Sequence, residues 1–176
     1  GYSFDVVAPP LPEPEPVIER LEPHLQAEAL AYFKARSVAD GLPDRWVLGC
    51  DTLVAVQDHV MGKPADEADA RHMLRTLSST PHQVISGVAL LAPQRVRLIA
   101  SDVTRITMRP MTPAEIDDYI RSGKWIGKAG AYAIQETADR FIVKVEGSFT
   151  NVVGLPIELV ERMVHSAVVN DRPDLP

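Results

Sequence analysis

The stretch Trp46-Val47-Leu48-Gly49-Cys50-Asp51-Thr52-Leu53-Val54-Ala55-Val56-Gln57-Asp58-His59-Val60-Met61-Gly62-Lys63-Pro64 decides the fold. Its apolar run from Trp46 to Cys50 reads as a buried strand that ends at Asp51-Thr52. Leu53–Val56 and Val60-Met61 flank Gln57-Asp58-His59, which predicts a tight hairpin. Gly62-Lys63-Pro64 then leads into a helix with Asp66 as N-cap and Asp69 three residues on, running to about Leu77. Strand, hairpin and helix in succession place both element types around one sheet.

Working outward toward the N-terminus, Leu25 to Ser37 is rich in Ala, Leu, Glu and Gln and predicts a helix. Ala27, Leu30, Ala31 and Ala35 recur at helical spacing and leave Lys34 near the edge of the buried face. Before it, Ala8 to Pro16 alternates prolines and holds an extended, polyproline-like loop carrying Glu13 and Glu15. Tyr2 to Val7, aromatic and β-branched, reads as a short strand.

On the other side, Val84–Leu91 and Val96–Met108 predict two long strands forming an antiparallel pair. Thr112-Pro113-Ala114-Glu115 gives a cap, a proline at the first helical position and an acid three residues after the cap. That helix should end near Ser122-Gly123. Gly127 to Tyr132 reads as a loop of small residues that a ligand can approach closely. Phe141–Val145 predicts a strand, and Gly154-Leu155-Pro156 opens a last helix through about His165. The expected class is α/β, a mixed β-sheet flanked by helices, in a single domain over residues 1–167 with a flexible tail at 168–176.

Composition narrows the function. With 176 residues the chain can bury about 70% of its unfolded surface without a disulfide scaffold. A formal charge of −6 argues against a generic basic surface for nucleic acid. No apolar run approaches the roughly 18 residues of a membrane helix. One cysteine, Cys50, excludes an internal disulfide and fits a reducing, cytoplasmic compartment.

Several residues have the chemistry for a site. Asp51, delivered at a strand end, can ligate Mg²⁺, accept a proton from an attacking water, or simply cap the turn. Lys34, Lys63 and Lys128 are scattered lysines; lysine is a point-charge phosphate ligand, though each alone is also an ordinary surface residue. Lysines and carboxylates converging on one crevice would suit a polyphosphate with its metal. Trp125 and Tyr132, near Gln135, can line a pocket for a base or serve as packing anchors. Cys50 reads as a buried structural thiol. The five histidines show no His-x-x-x-His pair, and Ser86 and Ser148 lack a nucleophile-elbow context.

Six stretches, in order, resemble the Maf family of nucleoside triphosphate pyrophosphatases. They are Leu30–Ala35, Gly49-Cys50-Asp51-Thr52, Gly62-Lys63-Pro64 with Ala70–Ser78, His82–Val88, Lys128–Gln135, and Gly147-Ser148 through Asn151–Pro156. The resemblance covers essentially residues 1–165 and implies an inosine-triphosphatase-like fold. It implies cleavage of a nucleoside triphosphate between the α and β phosphates with a divalent cation, Mg²⁺ or Mn²⁺, as cofactor. By position, Asp51 matches the family's proton acceptor, Glu13 and Asp51 its metal-associated acids, and Lys34, Lys63 and Lys128 its lysines. Thr52 and Gln135 match the specificity positions of the branch that takes dTTP and UTP. Family analogy also implies a homodimer.

Two departures stand beside the likeness. The family's Ser-x-Ser-Pro-Arg-Arg turn falls upstream of Gly1, and losing a phosphate-binding arginine would cost orders of magnitude in rate. Gln135 is followed by Glu136 where the family usually has glycine. An active pyrophosphatase and a catalytically impaired, nucleotide-binding or cell-division regulatory relative therefore both fit the sequence.

Overall fold

A computed structural model describes residues 2–11, 18–93, 96–135 and 139–170. Glu13, in the proline-rich loop, and residues 171–176 of the expected tail lie outside them.

The first helix, α1, spans Pro23–Ala39, longer at both ends than its sequence signal, with proline at its start. Strand β1 runs unbroken from Val47 to Val56 and turns through Gln57-Asp58 into β2, His59–Met61. The expected strand end at Asp51-Thr52 is thus overturned. Asp51 pairs with Gly87 and Thr52 with Ser86, so both lie inside a continuous ladder.

Helix α2, Glu67–Leu77, starts as predicted: the Asp66 carboxylate accepts from the Asp69 amide at 2.8 Å. Strands β3, His82–Leu91, and β4, Arg97–Met108, form the long antiparallel pair. Helix α3, Pro113–Arg121, opens on a full capping box between Thr112 and Glu115. Strand β5, Ile142–Glu146, adds to β4, and α5 continues from Ile157 to Asn170, past its expected end.

The sheet has the order β2-β1-β3-β4-β5 and helices on both faces, so the α/β class holds. All four pairings among the described residues are antiparallel; the parallel component of a mixed sheet does not occur among them. No described strand pairs with Val47–Leu53 on the side away from β3. Tyr2–Val7 forms no strand either: its side chains are exposed and its backbone has no ladder partner among the described residues. Propensity alone does not make a strand without a surface to pack on.

Alternation along the strands assigns the two faces. One face carries α1, whose Ala27, Ala31 and Ala35 are fully or almost fully buried. The approach is so close that a Cβ on Gly49 would lie 2.3 Å from the Ala31 carbonyl oxygen, and one on Gly87 2.2 Å from that of Ala27. The opposite face carries two clusters. Val54, Val84 and Ile106 pack with Leu74, Leu77, Tyr119 and Phe141 under α2 and α3. Val88 and Leu90 pack with Leu159, Met163 and Ala167 of α5. Each fully buried Leu or Ile contributes roughly 1.5–3 kcal/mol.

Candidate active site

Between those two clusters a cleft of about 220 Å³ opens over the sheet. Thr52, Val54 and Val84 form the floor. Lys63 and the segment Gly127–Gln135 form one wall, and Val152, Val153 and Gly154 the other. The first wall is tied together by the Gly130 amide, which donates to the Gly62 carbonyl at 3.1 Å. Gly130 adopts φ +67°, and a Cβ there would press on Leu77 and Val54 at 3.0–3.2 Å, so the close packing of this wall requires glycine.

The second wall is a short helix, α4, spanning Phe149–Val153, which is not among the elements expected from the sequence. Its signal was local: Ser148 caps it through the Asn151 amide, and Gly154 ends it in the left-handed region at φ +117°. Beneath α4 lies a buried polar network. The Asn151 amide group donates to the Val84 carbonyl at 3.0 Å and to the Thr104 hydroxyl at 2.9 Å. Ser86 and Thr52 share a proton at 2.8 Å, and both the Thr52 hydroxyl and the Cys50 thiol donate to the Gly154 carbonyl.

Four of the expected site residues, Thr52, Lys63, Lys128 and Gln135, therefore surround one cleft. Tyr132 also lines it, whereas Trp125 does not: its indole donates to the Ile120 carbonyl at 3.1 Å and its ring packs on the core.

Asp51 and Lys34 meet on the other face of β1. Lys34, beside the alanine stripe of α1, places its Nζ 2.5 Å from Asp51 Oδ1, with the side chains 23% and 12% exposed. Asp51 Oδ2 is buried without a hydrogen-bond partner. Such an open carboxylate oxygen suits a hard divalent cation or a water proton. Among the described residues no three His, Cys, Asp or Glu cluster as a metal cage. A single carboxylate is still compatible with Mg²⁺, which is commonly held by one or two carboxylates together with substrate phosphates.

Burial and the Asp51 charge push the Cys50 thiol up to about 11, which keeps it protonated and inert. His82, at the start of β3, is buried, and desolvation lowers it to about 4. With its proton on Nδ1, facing the Thr80 carbonyl at 3.4 Å, Nε2 accepts from the Tyr132 hydroxyl at 2.8 Å. No described helix is long and apolar enough to cross a membrane.

A family described as Maf-like protein matches residues 1–167. The chain is similar to the dTTP/UTP pyrophosphatase of Koribacter versatilis, 45% identical over 148 residues, covering 84% of this chain and 76% of that protein. It is 44% identical over 163 residues to the dTTP/UTP pyrophosphatase of Geobacter sulfurreducens, covering 92% and 84% of the two chains. A Geobacillus protein of the same name is 43% identical over 150 residues, covering 85% and 80%.

Proposed function

The chain belongs to the Maf-like protein family, and on that premise we propose that it hydrolyses dTTP and UTP to the nucleoside monophosphate and pyrophosphate. The observation that carries the reading is the ring of Thr52, Lys63, Lys128 and Gln135 around one cleft, next in sequence to a carboxylate with an open oxygen.

The base lies on the cleft floor between Thr52 and Gln135. A glutamine amide offers a donor and an acceptor, matching the O4 and N3–H edge of uracil or thymine. Lys63 and Lys128 supply positive charge to the phosphates from the cleft wall. Asp51 faces away from the floor, but adjacent residues of a strand are only about 3.8 Å apart. A triphosphate running around the edge of β1 that no described strand covers passes from one face to the other and reaches Asp51 and Lys34.

There Asp51 Oδ2 orients a water and takes its proton. The water oxygen bonds to one phosphorus of the α–β bridge, the bond from that phosphorus to the bridging oxygen breaks, and nucleoside monophosphate and pyrophosphate separate. Lys34 fixes the Asp51 carboxylate through Oδ1 and adds charge against the phosphoryl oxygens, which carry the developing negative charge in the transition state. A divalent cation would be held by Asp51 and the substrate, with Glu13 as a second acid. It would supply Lewis-acid polarisation of the phosphoryl oxygens. A half-buried, protonated Cys50 suits a reducing compartment, and we place the reaction in the cytoplasm.

Pyrophosphate release with Mg²⁺ or Mn²⁺ tests the proposal. The chain should act on UTP and dTTP, and Asp51→Asn should lower kcat by about 10²–10⁴ with the fold intact. Undiminished turnover in that variant, or no release from either nucleotide by the unsubstituted chain, overturns it.

A further inference from the structure

Resting on that reading of the cleft, we infer that Thr104 and Asn151 are positioning residues that fix the cleft's second wall, and that this wall receives the nucleoside moiety and not the phosphates. Neither side chain lines the cleft; both are fully buried behind it.

Helix α4 cannot keep this wall in place by itself. Five residues are too few for a helix to persist on its own hydrogen bonds. Apolar burial does not fasten it either: Phe149 and Val153 are 53% and 40% exposed, and Asn151 alone of the five is fully buried. The fastening is polar. The Asn151 amide group reaches Val84 O at 3.0 Å and Thr104 Oγ1 at 2.9 Å, and Thr104 Oγ1 lies 2.9 Å from Ser148 O.

The direction of each of these bonds is forced. Val84 O and Ser148 O are backbone carbonyls, which only accept. The nitrogen of the Asn151 amide therefore faces Val84 O, and its second hydrogen goes to Thr104. The Thr104 hydroxyl gives its one hydrogen to Ser148 O and receives that of Asn151 on a lone pair. Thr104, on β4, thus grips the cap of α4 at Ser148 and its middle at Asn151, while Asn151 ties the same helix to Val84 in the cleft floor. At Gly147 the chain passes so close that a Cβ there would lie 2.8 Å from Thr104 Oγ1, so the wall begins directly against that hydroxyl. A binding wall must be held to within about 0.5 Å by groups that are themselves locked, and this chain of bonds locks it.

The two walls differ in chemistry. Lys63 and Lys128 belong to the first, whereas the second presents Val152, Val153 and Gly154 and carries no charge. The Gly154 carbonyl, which receives the Cys50 thiol at 3.2 Å, repels phosphoryl oxygens. Aliphatic surface beside a carbonyl suits an uncharged heterocycle.

Thr104→Val keeps the shape of the side chain and removes both its donor and its acceptor. In calorimetric titrations with Mg²⁺ present, UMP should bind at least tenfold more weakly to Thr104→Val than to the unsubstituted chain. Pyrophosphate should bind the two within twofold, and Thr104→Ser should restore UMP binding. In turnover the KM of Thr104→Val for UTP should rise at least tenfold with kcat within threefold, because Asp51 and Lys34 lie on the other face of β1. A general loosening of the fold would instead weaken both ligands. Unchanged UMP binding in Thr104→Val, or equal weakening of UMP and pyrophosphate, overturns the inference and leaves the pyrophosphatase reading intact. A second measurement needs no variant. In amide hydrogen exchange on the unsubstituted chain, UMP should slow exchange over residues 149–154 and pyrophosphate should not. Equal protection by the two, or none by UMP, also overturns the inference. Absence of pyrophosphate release from UTP by the unsubstituted chain overturns the parent reading instead, and the binding and exchange measurements, which need no turnover, still decide the role of the second wall.

Discussion

At the residue scale the pivotal pair is Asp51 and Lys34. One carboxylate oxygen is fully engaged at 2.5 Å and the other is buried and open, a division that suits a group poised to bind or to take a proton. Lys34→Met removes the cation and strands a carboxylate that is only 12% exposed. The unfolding free energy should drop by about 2 kcal/mol, the scale of a charge-assisted hydrogen bond, in urea titrations near neutral pH. No drop would mean the pair contributes nothing to the fold. The partnership was only half legible in sequence. The alanine spacing of α1 put Lys34 at the edge of a buried face, but Asp51-Thr52 looked like the end of a strand because polar residues follow an apolar run. The structure keeps both inside β1, and the period of two then sends their side chains to opposite faces.

At the element scale, local punctuation is legible in the sequence. The Asp66 cap, the Thr112–Glu115 box and the Gln57-Asp58 hairpin each satisfy backbone groups within a few residues, so their signals are contiguous in sequence. Helix α4 has its cap and stop, Ser148 and Gly154, in the local sequence, but its five residues are too few to show a helical period, and distant partners, Val84 and Thr104, hold it in place. Tyr2–Val7 shows the converse: strand-forming residues with no partner strand among the described residues. The join between β3 and the cleft wall makes a pH prediction. His82 is neutral in the fold with its value lowered to about 4, against an ordinary value of 6.5. Between these the unfolded chain binds the extra proton, so stability falls as pH drops from about 6.5 to about 4 and levels off below. The loss attributable to His82 is about 3 kcal/mol. Chemical denaturation across that range checks it: His82→Gln should flatten this part of the profile, and an unaltered slope would refute the assignment.

At the scale of the whole molecule, the fold supplies a sheet with helices on both faces, a cleft between the α2–α3 and α4–α5 sides, and a strand edge along Val47–Leu53 that no described strand covers. The cleft gathers Thr52, Lys63, Lys128 and Gln135 on one face, while Asp51 and Lys34 lie on the other. The chain carries a net charge of −6, so attraction for a polyanion must come from the local field of Lys34, Lys63 and Lys128. The central claim is that a triphosphate bridges these two faces and is cut at its α–β linkage. Following UTP turnover by phosphorus NMR with Mg²⁺ present tests this most directly. The account predicts UMP and pyrophosphate appearing together in equal amounts from the first time point. Appearance of UDP with inorganic phosphate would contradict it.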